Sequence, residues 1–599
     1  MRFQIRRLQS ICLATALSTL SACGSSDETL SAEAIAKTTY GTLQGVTTDT
    51  DGIYNFKGVP FAAPPEGDLR WRAPIKPTAW EGTRNADTFS PMCIQAGEAD
   101  GGFLDRIIDG HGLGGLKKFL INRVASALPK SKTSEDCLYL NIRTANLKTA
   151  EKQPVMVWIH GGAHQFGSGD FSYYQNNSLV EKGVVLVTIN YRLGAFGYMA
   201  HPALSADDPN GVSGNYGTLD QIAALEWVRD NISAFGGDPD NVTIFGESAG
   251  GWSVTELMSS PMGKGLFHKA IGQSGAATYH LGQLDADPLG WISGYEAGKM
   301  VTDALGLDAP SASDMRALPA ETIQAVITER MTDGFHHNRD GHVFPKIVGH
   351  SFLDGDFHAV PTLFGYNSDE ATLFFDNDPQ PSVWLDDFPR PSAGRATQLE
   401  ALSEHYDNRA EFLMDTYDLS NAEDFVDNGT QMMGDEIFGV NIRLVTRQNA
   451  KQGQPAYVYT FGRVPPSENQ TLGAFHSAEI PFVFGSHEAI LGLSDQDEIL
   501  TEQIQSYWVN FAKTGNPNGE GLLNWPEHAG SNWMQFGGNN DLKTGAIQNY
   551  RADKLDALEY GLMKKLSALK QIDLNPQKTP QTQIQITPQD PSMRSEAQD

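Results

Sequence analysis

The sequence predicts an α/β chain, a mostly parallel central sheet covered by helices, and three observations carry that prediction. Short apolar runs at residues 155–159, 184–190, 242–245 and 361–364 are rich in β-branched and aromatic types and bounded by Gly, Pro, Asn or Asp, the composition of buried strands. Residues 219–232 place Ile222, Leu225, Val228 and Ile232 on one helical face. Strand and helix then alternate as far as position 248, the order of a parallel sheet whose crossovers cover both faces.

At the start of the chain, Arg2, Arg6 and Arg7 precede an apolar run at 11–20, followed by Ser21, Ala22 and Cys23. A positive start, a short apolar stretch and small residues before a cleavage point make an export leader, and the run is too short to span a bilayer. Because cysteine follows the small pair, the segment resembles a bacterial lipoprotein signal, which implies a lipid on Cys23. Gly24, with no aspartate in that position, resembles the outer-membrane sorting pattern. A plain secretory leader with an incidental cysteine is the alternative. Residues 1–22 are expected to leave, 23–36, small and polar from 24 to 33, to serve as a flexible tether, and 37–570 to form one folded unit. The formal charge of −29 becomes −32 once the leader's arginines are gone, and so acidic a chain disfavours nucleic acid and anionic membranes as partners. Membrane contact is expected only through the lipid.

Residues 38–90 carry short strands and turns. Export would bring Cys93 and Cys137 into an oxidising compartment, where two thiols of a secreted domain are more often bonded than free. Between them, several glycines precede Leu116, Phe119, Leu120, Val124 and Leu128 at near-helical spacing, so an extra helix is expected there, either as a cover or packed on the domain.

The run at 155–159 ends in His160, Gly161, Gly162 and Ala163. Amides in such a turn have no Cβ in the way and can point at a developing oxyanion. The run at 242–245 ends in Gly246, Glu247, Ser248, Ala249, Gly250 and Gly251. These small residues leave room for a sharp strand-to-helix turn that strains one serine at its tip and exposes the hydroxyl. A hydroxyl presented that way can attack a carbonyl, and the amide of Ala249 would complete an oxyanion hole.

Phe235, Gly236, Gly237, Val242, Ile244, Gly246, Ser248, Ala249 and Gly250 resemble the active-site signature of the type-B carboxylesterases, the α/β-hydrolase family that includes the cholinesterases. Glu135, Asp136, Cys137, Leu138, Tyr139, Leu140, Asn141 and Ile142 resemble that family's other signature, although Ala145 stands where Pro, Gln or Arg is usual. The resemblance runs over residues 38–565, from Gly58, Val59, Pro60 and Phe61 to 507–512. It implies the α/β-hydrolase fold with helical additions near 285–335 and 380–445. It also implies a Cys93–Cys137 disulfide closing a loop over the site, and Gly162 and Ala163 as oxyanion donors. His164 and Gln165 stand where the family often has an aromatic, which argues against a purely apolar acyl pocket.

A serine hydroxyl needs a base to take its proton, and the base needs an acid to orient it; in this fold they follow in the order serine, acid, histidine. Among the fifteen histidines, His476 lies in a stretch, 473–482, that resembles the family's catalytic histidine loop. Glu370 matches the family's acid, with Asp369 as its competitor, since adjacent side chains point in different directions. Ser274 resembles a serine close to that histidine. His336, His337 and His342 cluster locally, but no spaced carboxylate accompanies them in a ligand pattern, so neither a metal nor a cofactor is expected. Residues 571–599, rich in Gln and Pro, bury too little to fold. The expected activity is hydrolysis of a small-molecule carboxylic ester through an acyl-enzyme, outside the cytoplasm. An amidase or lactonase would use the same triad, and the fold without a working triad would be a binding module.

Overall fold

The computed structural model describes residues 29–573 apart from 96–106, 108–109, 111–131, 148–150, 280–281, 286–291, 331–334, 375–388, 466–469, 488–493 and 539–540. The strands of its main sheet, in chain order, are β1 (Leu30–Lys37), β2 (Thr42–Thr47), β3 (Tyr54–Pro60), β4 (Thr83–Asn85), β5 (Tyr139–Thr144), β6 (Gln153–Ile159), β7 (Val185–Ile189), β8 (Gly237–Glu247), β9 (Lys269–Gln273), β10 (Thr362–Asn367), β11 (Ala456–Phe461), β12 (Asn532–Gly538) and β13 (Asp541–Gln548). Among the described residues these 13 strands form one sheet in the order β1-β2-β3-β5-β7-β6-β8-β9-β10-β11-β12-β13, with β4 beside β2. From β7 to β12 every neighbouring pair is parallel. Antiparallel pairs close both ends.

The parallel strands are apolar on both sides, and their alternation sorts side chains to two faces. Along β6, Val155, Val157 and Ile159 join one buried cluster while Met156 and Trp158 join another; Val242 and Ile244 of β8 part from Phe245 in the same way. Fully burying one such aliphatic side chain stabilises by about 1.5–3 kcal/mol. The strand ends that carry the site are therefore anchored from above and below.

The principal helices are α1 (Tyr216–Asn231), α2 (Ala249–Ser259), α3 (Gly294–Ala304), α4 (Ala320–Arg330), α5 (Arg395–Tyr406), α6 (Phe425–Gly434), α7 (Val440–Lys451), α8 (Asp495–Thr514) and α9 (Ala552–Asp573). On the first face lie Leu225 and Val228 of α1, Val254 and Leu257 of α2, Leu444 of α7 and Leu558 of α9. The second is covered by Leu500, Ile504, Trp508 and Phe511 of α8. Local signals set the ends of α8: the Ser494 hydroxyl accepts from the Asp497 N–H at 3.3 Å, the Asp497 carboxylate accepts from the Ser494 N–H at 3.1 Å, and Gly515 at φ +79° stops it. No helix among the described residues is long and apolar enough to cross a membrane.

Two expected boundaries move. Residues 30–36, read as the end of a tether, belong to β1, which pairs antiparallel with β2 through Ile35↔Gln44 and Lys37↔Thr42. Their small side chains signal close packing rather than slack: Ala34 and Ala36 alternate into the core. The expected tail begins at 571, whereas α9 continues to Asp573. The leader with Cys23, the apolar helix expected at 116–128 and the rest of the tail lie outside the described residues.

Candidate active site

β8 ends at Glu247 and α2 begins at Ala249, so Ser248 alone makes the turn, with φ +57° and ψ −124°. A non-glycine residue rarely occupies that region, at a cost of roughly 1–3 kcal/mol, and its neighbours must hold it there. The Ser248 N–H donates to the Gln273 carbonyl at 2.9 Å, and its carbonyl accepts from the Trp252 N–H at 2.9 Å. Gly250 permits the close packing beneath, because a Cβ there would stand 2.0 Å from the Ile159 oxygen. Val242 to Gly250 are buried except Ser248.

The turn after β6 has three successive residues at positive φ: Gly162 at +102°, Ala163 at +52° and His164 at +59°. Its Gly162 carbonyl accepts from the N–H groups of Gln165 and Phe166, at 2.8 and 3.1 Å. The loop is thus closed through a carbonyl, by amides beyond its first residues. Among the described residues the N–H groups of Gly162, Ala163 and Ala249 donate to no protein acceptor. The turn abuts the serine: a Cβ on Gly161 would lie 3.1 Å from the Ser248 Cβ.

His476 follows β11, and its Nδ1 lies 2.6 Å from Glu370 Oε2. Glu370 is fixed in turn, accepting the Asn367 N–H on Oε1 at 2.6 Å. Asp369 faces elsewhere, accepting from the Ala474 N–H at 2.8 Å and the Ser368 hydroxyl at 2.7 Å. Of the two adjacent acids, Glu370 meets the histidine. His476 Nε2 is buried and makes no hydrogen bond; it lies 3.1 Å from Glu247 Oε1. Burial alone would lower the His476 pKa, but the carboxylates of Glu247 and Glu370 outweigh it and raise it to about 9. Glu247 is itself raised, by burial first, and its Oε1 accepts from the Ser477 hydroxyl at 2.6 Å.

Glu247 and Glu479 escaped the sequence reading. Both carried a usable signal: one adjoins the serine and the other follows His476 by three residues. Glu479 accepts from Asn367 Nδ2 at 2.7 Å and Gln273 Nε2 at 3.1 Å. Ser274, expected beside the histidine, is buried with its hydroxyl unpaired. Cys93 and Cys137 are joined, closing a loop of sequence separation 44. His164 is buried between Tyr191 and Tyr198 and within 4.4 Å of the His337 ring, while Gln165 Nε2 donates to the Phe335 carbonyl at 2.8 Å.

A family model described as "Carboxylesterase family" matches residues 32–557. The fumonisin B1 esterase of Sphingopyxis macrogoltabida is 35% identical over 82% of this chain and 84% of that protein. The para-nitrobenzyl esterase of Bacillus subtilis (strain 168) is 34% identical over 82% of this chain and 92% of that protein. Among solved structures, a PNB esterase superposes with a TM-score of 0.71 at 31% identity, covering 88% of this chain and 99% of the other.

Proposed function

The chain belongs to the carboxylesterase family, and from that premise we propose that it hydrolyses a small-molecule carboxylic ester through an acyl-enzyme on Ser248. The observation that supports this reading is His476, held at Nδ1 by Glu370 with no hydrogen bond on Nε2. Nε2 takes the Ser248 proton as Oγ bonds to the carbonyl carbon, and the N–H groups of Gly162, Ala163 and Ala249 receive the oxyanion. Collapse breaks the ester C–O bond, and His476 returns the proton to the leaving alcohol. Water then repeats the sequence on the acyl-serine and releases the acid. A fluorophosphonate probe is expected to label Ser248 alone, read by peptide mass; turnover that persists in a fully labelled chain would end the proposal.

The carboxylates around His476 give the reaction a pH signature. The histidine is a base only when neutral, so with its pKa raised the acidic limb of kcat/KM is expected well above the ordinary imidazole value of 6.5. Glu247→Gln removes a negative charge 3.1 Å from Nε2 and stabilises the imidazolium less. The limb should move to lower pH by roughly one to three units. A pH profile that stays in place, or moves the other way, would remove Glu247 from this account.

The leader supports an extracytoplasmic site of action, with the mature chain beginning at a lipid-bearing Cys23 and, by the Gly24 pattern, an outer-membrane destination. Cys23→Ser is expected to yield either a released enzyme or an unprocessed precursor. Intact mass of the mature protein checks it, and an unmodified start at another residue refutes the anchor.

A further inference from the structure

Three side chains that this reaction does not use meet in the interior next to the oxyanion turn. His164 directly follows Ala163, Glu256 lies on α2 about two turns beyond Ser248, and His337 precedes the short strand Asn338–Arg339. One ligand-type atom from each lies within 4.8 Å of the other two, and all three residues are at most 3% exposed. His337 Nε2 and Glu256 Oε2 stand 3.0 Å apart, yet neither makes a hydrogen bond of acceptable geometry. Two donors each about 2.1 Å from one tetrahedral ion are separated by about 3.4 Å, so this pair opens slightly on loading.

The surroundings are those of a ligand set. His164 Nε2 lies 2.9 Å from Ser253 Oγ, which also accepts from Gln221 Nε2 at 3.0 Å. Such an outer partner on one ring nitrogen fixes an imidazole, and the Ala249 backbone bonds the same ring. The His337 backbone is held by its carbonyl, which accepts the Gly282 N–H at 2.9 Å. Glu256 is buried, and no Lys or Arg among the described residues pairs with it. A buried carboxylate lacking a cation is costly.

We propose that His164, Glu256 and His337 bind one divalent first-row transition ion, Zn²⁺ foremost, which clasps the oxyanion turn, α2 and the segment around 337 together. Two imidazoles and one carboxylate are a donor set Zn²⁺ accepts, with a fourth position left for water. Donors of one ion cannot be more than about 4.2 Å apart, so the widest pair closes by a small side-chain rotation on loading. The ion's role is structural: it joins three segments far apart in sequence, and ester hydrolysis does not pass through it.

Full-length protein expressed with added Zn²⁺ and purified without chelator is expected to carry about one equivalent of metal by elemental mass spectrometry, and Glu256→Gln and His337→Gln about none. Refolding the wild type with Co²⁺ should give visible ligand-field bands, and stripping the ion should lower its Tm by several degrees. Metal below about a tenth of an equivalent after refolding with either ion, with no Co²⁺ bands, would overturn the site in favour of a protonated Glu256 bonded to His337. Metal retained unchanged by both variants would overturn it as well. If the variants do not fold, the wild-type Co²⁺ spectrum decides alone.

Discussion

Ser248→Ala is expected to remove ester turnover, by a factor on the order of 10⁶, while the chain stays folded. The oxygen lost is the atom that bonds to the substrate, and no other hydroxyl takes its place: Ser274 is sealed in the core, and the Ser477 hydroxyl donates to Glu247. Stability should change little, because the elbow is held by main-chain bonds from Ser248 to Gln273 and Trp252 that alanine also makes. An unchanged Tm beside a lost initial rate is the result expected. A variant that keeps even a hundredth of the wild-type rate would show that the nucleophile lies elsewhere.

Glu370→Gln should cost about 10⁴ in kcat. Glutamine fills the same space, but its amide N–H can donate to His476 Nδ1, which favours the tautomer whose Nε2 carries a proton and cannot accept one from Ser248. Removing the charge also destabilises the imidazolium formed in the transition state. Asp369→Asn is the control: its partners are the Ala474 N–H and the Ser368 hydroxyl, both of which an amide oxygen still accepts, so the loss should stay below about tenfold. Steady-state rates of the two variants on one ester decide the matter, and the opposite ranking would transfer the acid's role to Asp369.

The strands that carry the site were legible because burial on both faces leaves an unbroken apolar run, as at 155–159 and 242–245. The elbow was legible for a different reason: the close approach of Ile159 to Gly250 demands glycine, and that demand is written in the residue itself. The contact between Glu370 and His476 came from resemblance, since nothing local ties residues separated by 106 positions. What stayed hidden depended on three-dimensional meetings. His337 was weighed against neighbours in sequence and found without a carboxylate; the fold supplies one from α2, with an imidazole from the oxyanion turn. Glu247 sits inside a glycine-serine motif whose sequence gives no sign that its carboxylate, with that of Glu370, raises the proton affinity of His476. Alternating small residues misled at 30–36, where alanines that pack under a sheet look like those of a loose linker.

The pairing of β10 with β11 runs without interruption from Thr362↔Ala456 to Asn367↔Phe461. Glu370 lies three residues past the end of β10, and the loop that carries His476, 15 residues past the end of β11, is bonded to β10 where Asn367 Nδ2 donates to the Phe475 carbonyl at 2.8 Å. A slip of one position between these two strands would displace their ends by about 3.3 Å and exchange the faces their side chains occupy. A 2.6 Å contact does not survive that displacement, even in a sheet with its full complement of backbone hydrogen bonds. Catalysis is thus a ruler for strand alignment: a refolded population can look native by circular dichroism, and its specific activity counts the molecules whose central strands are in step.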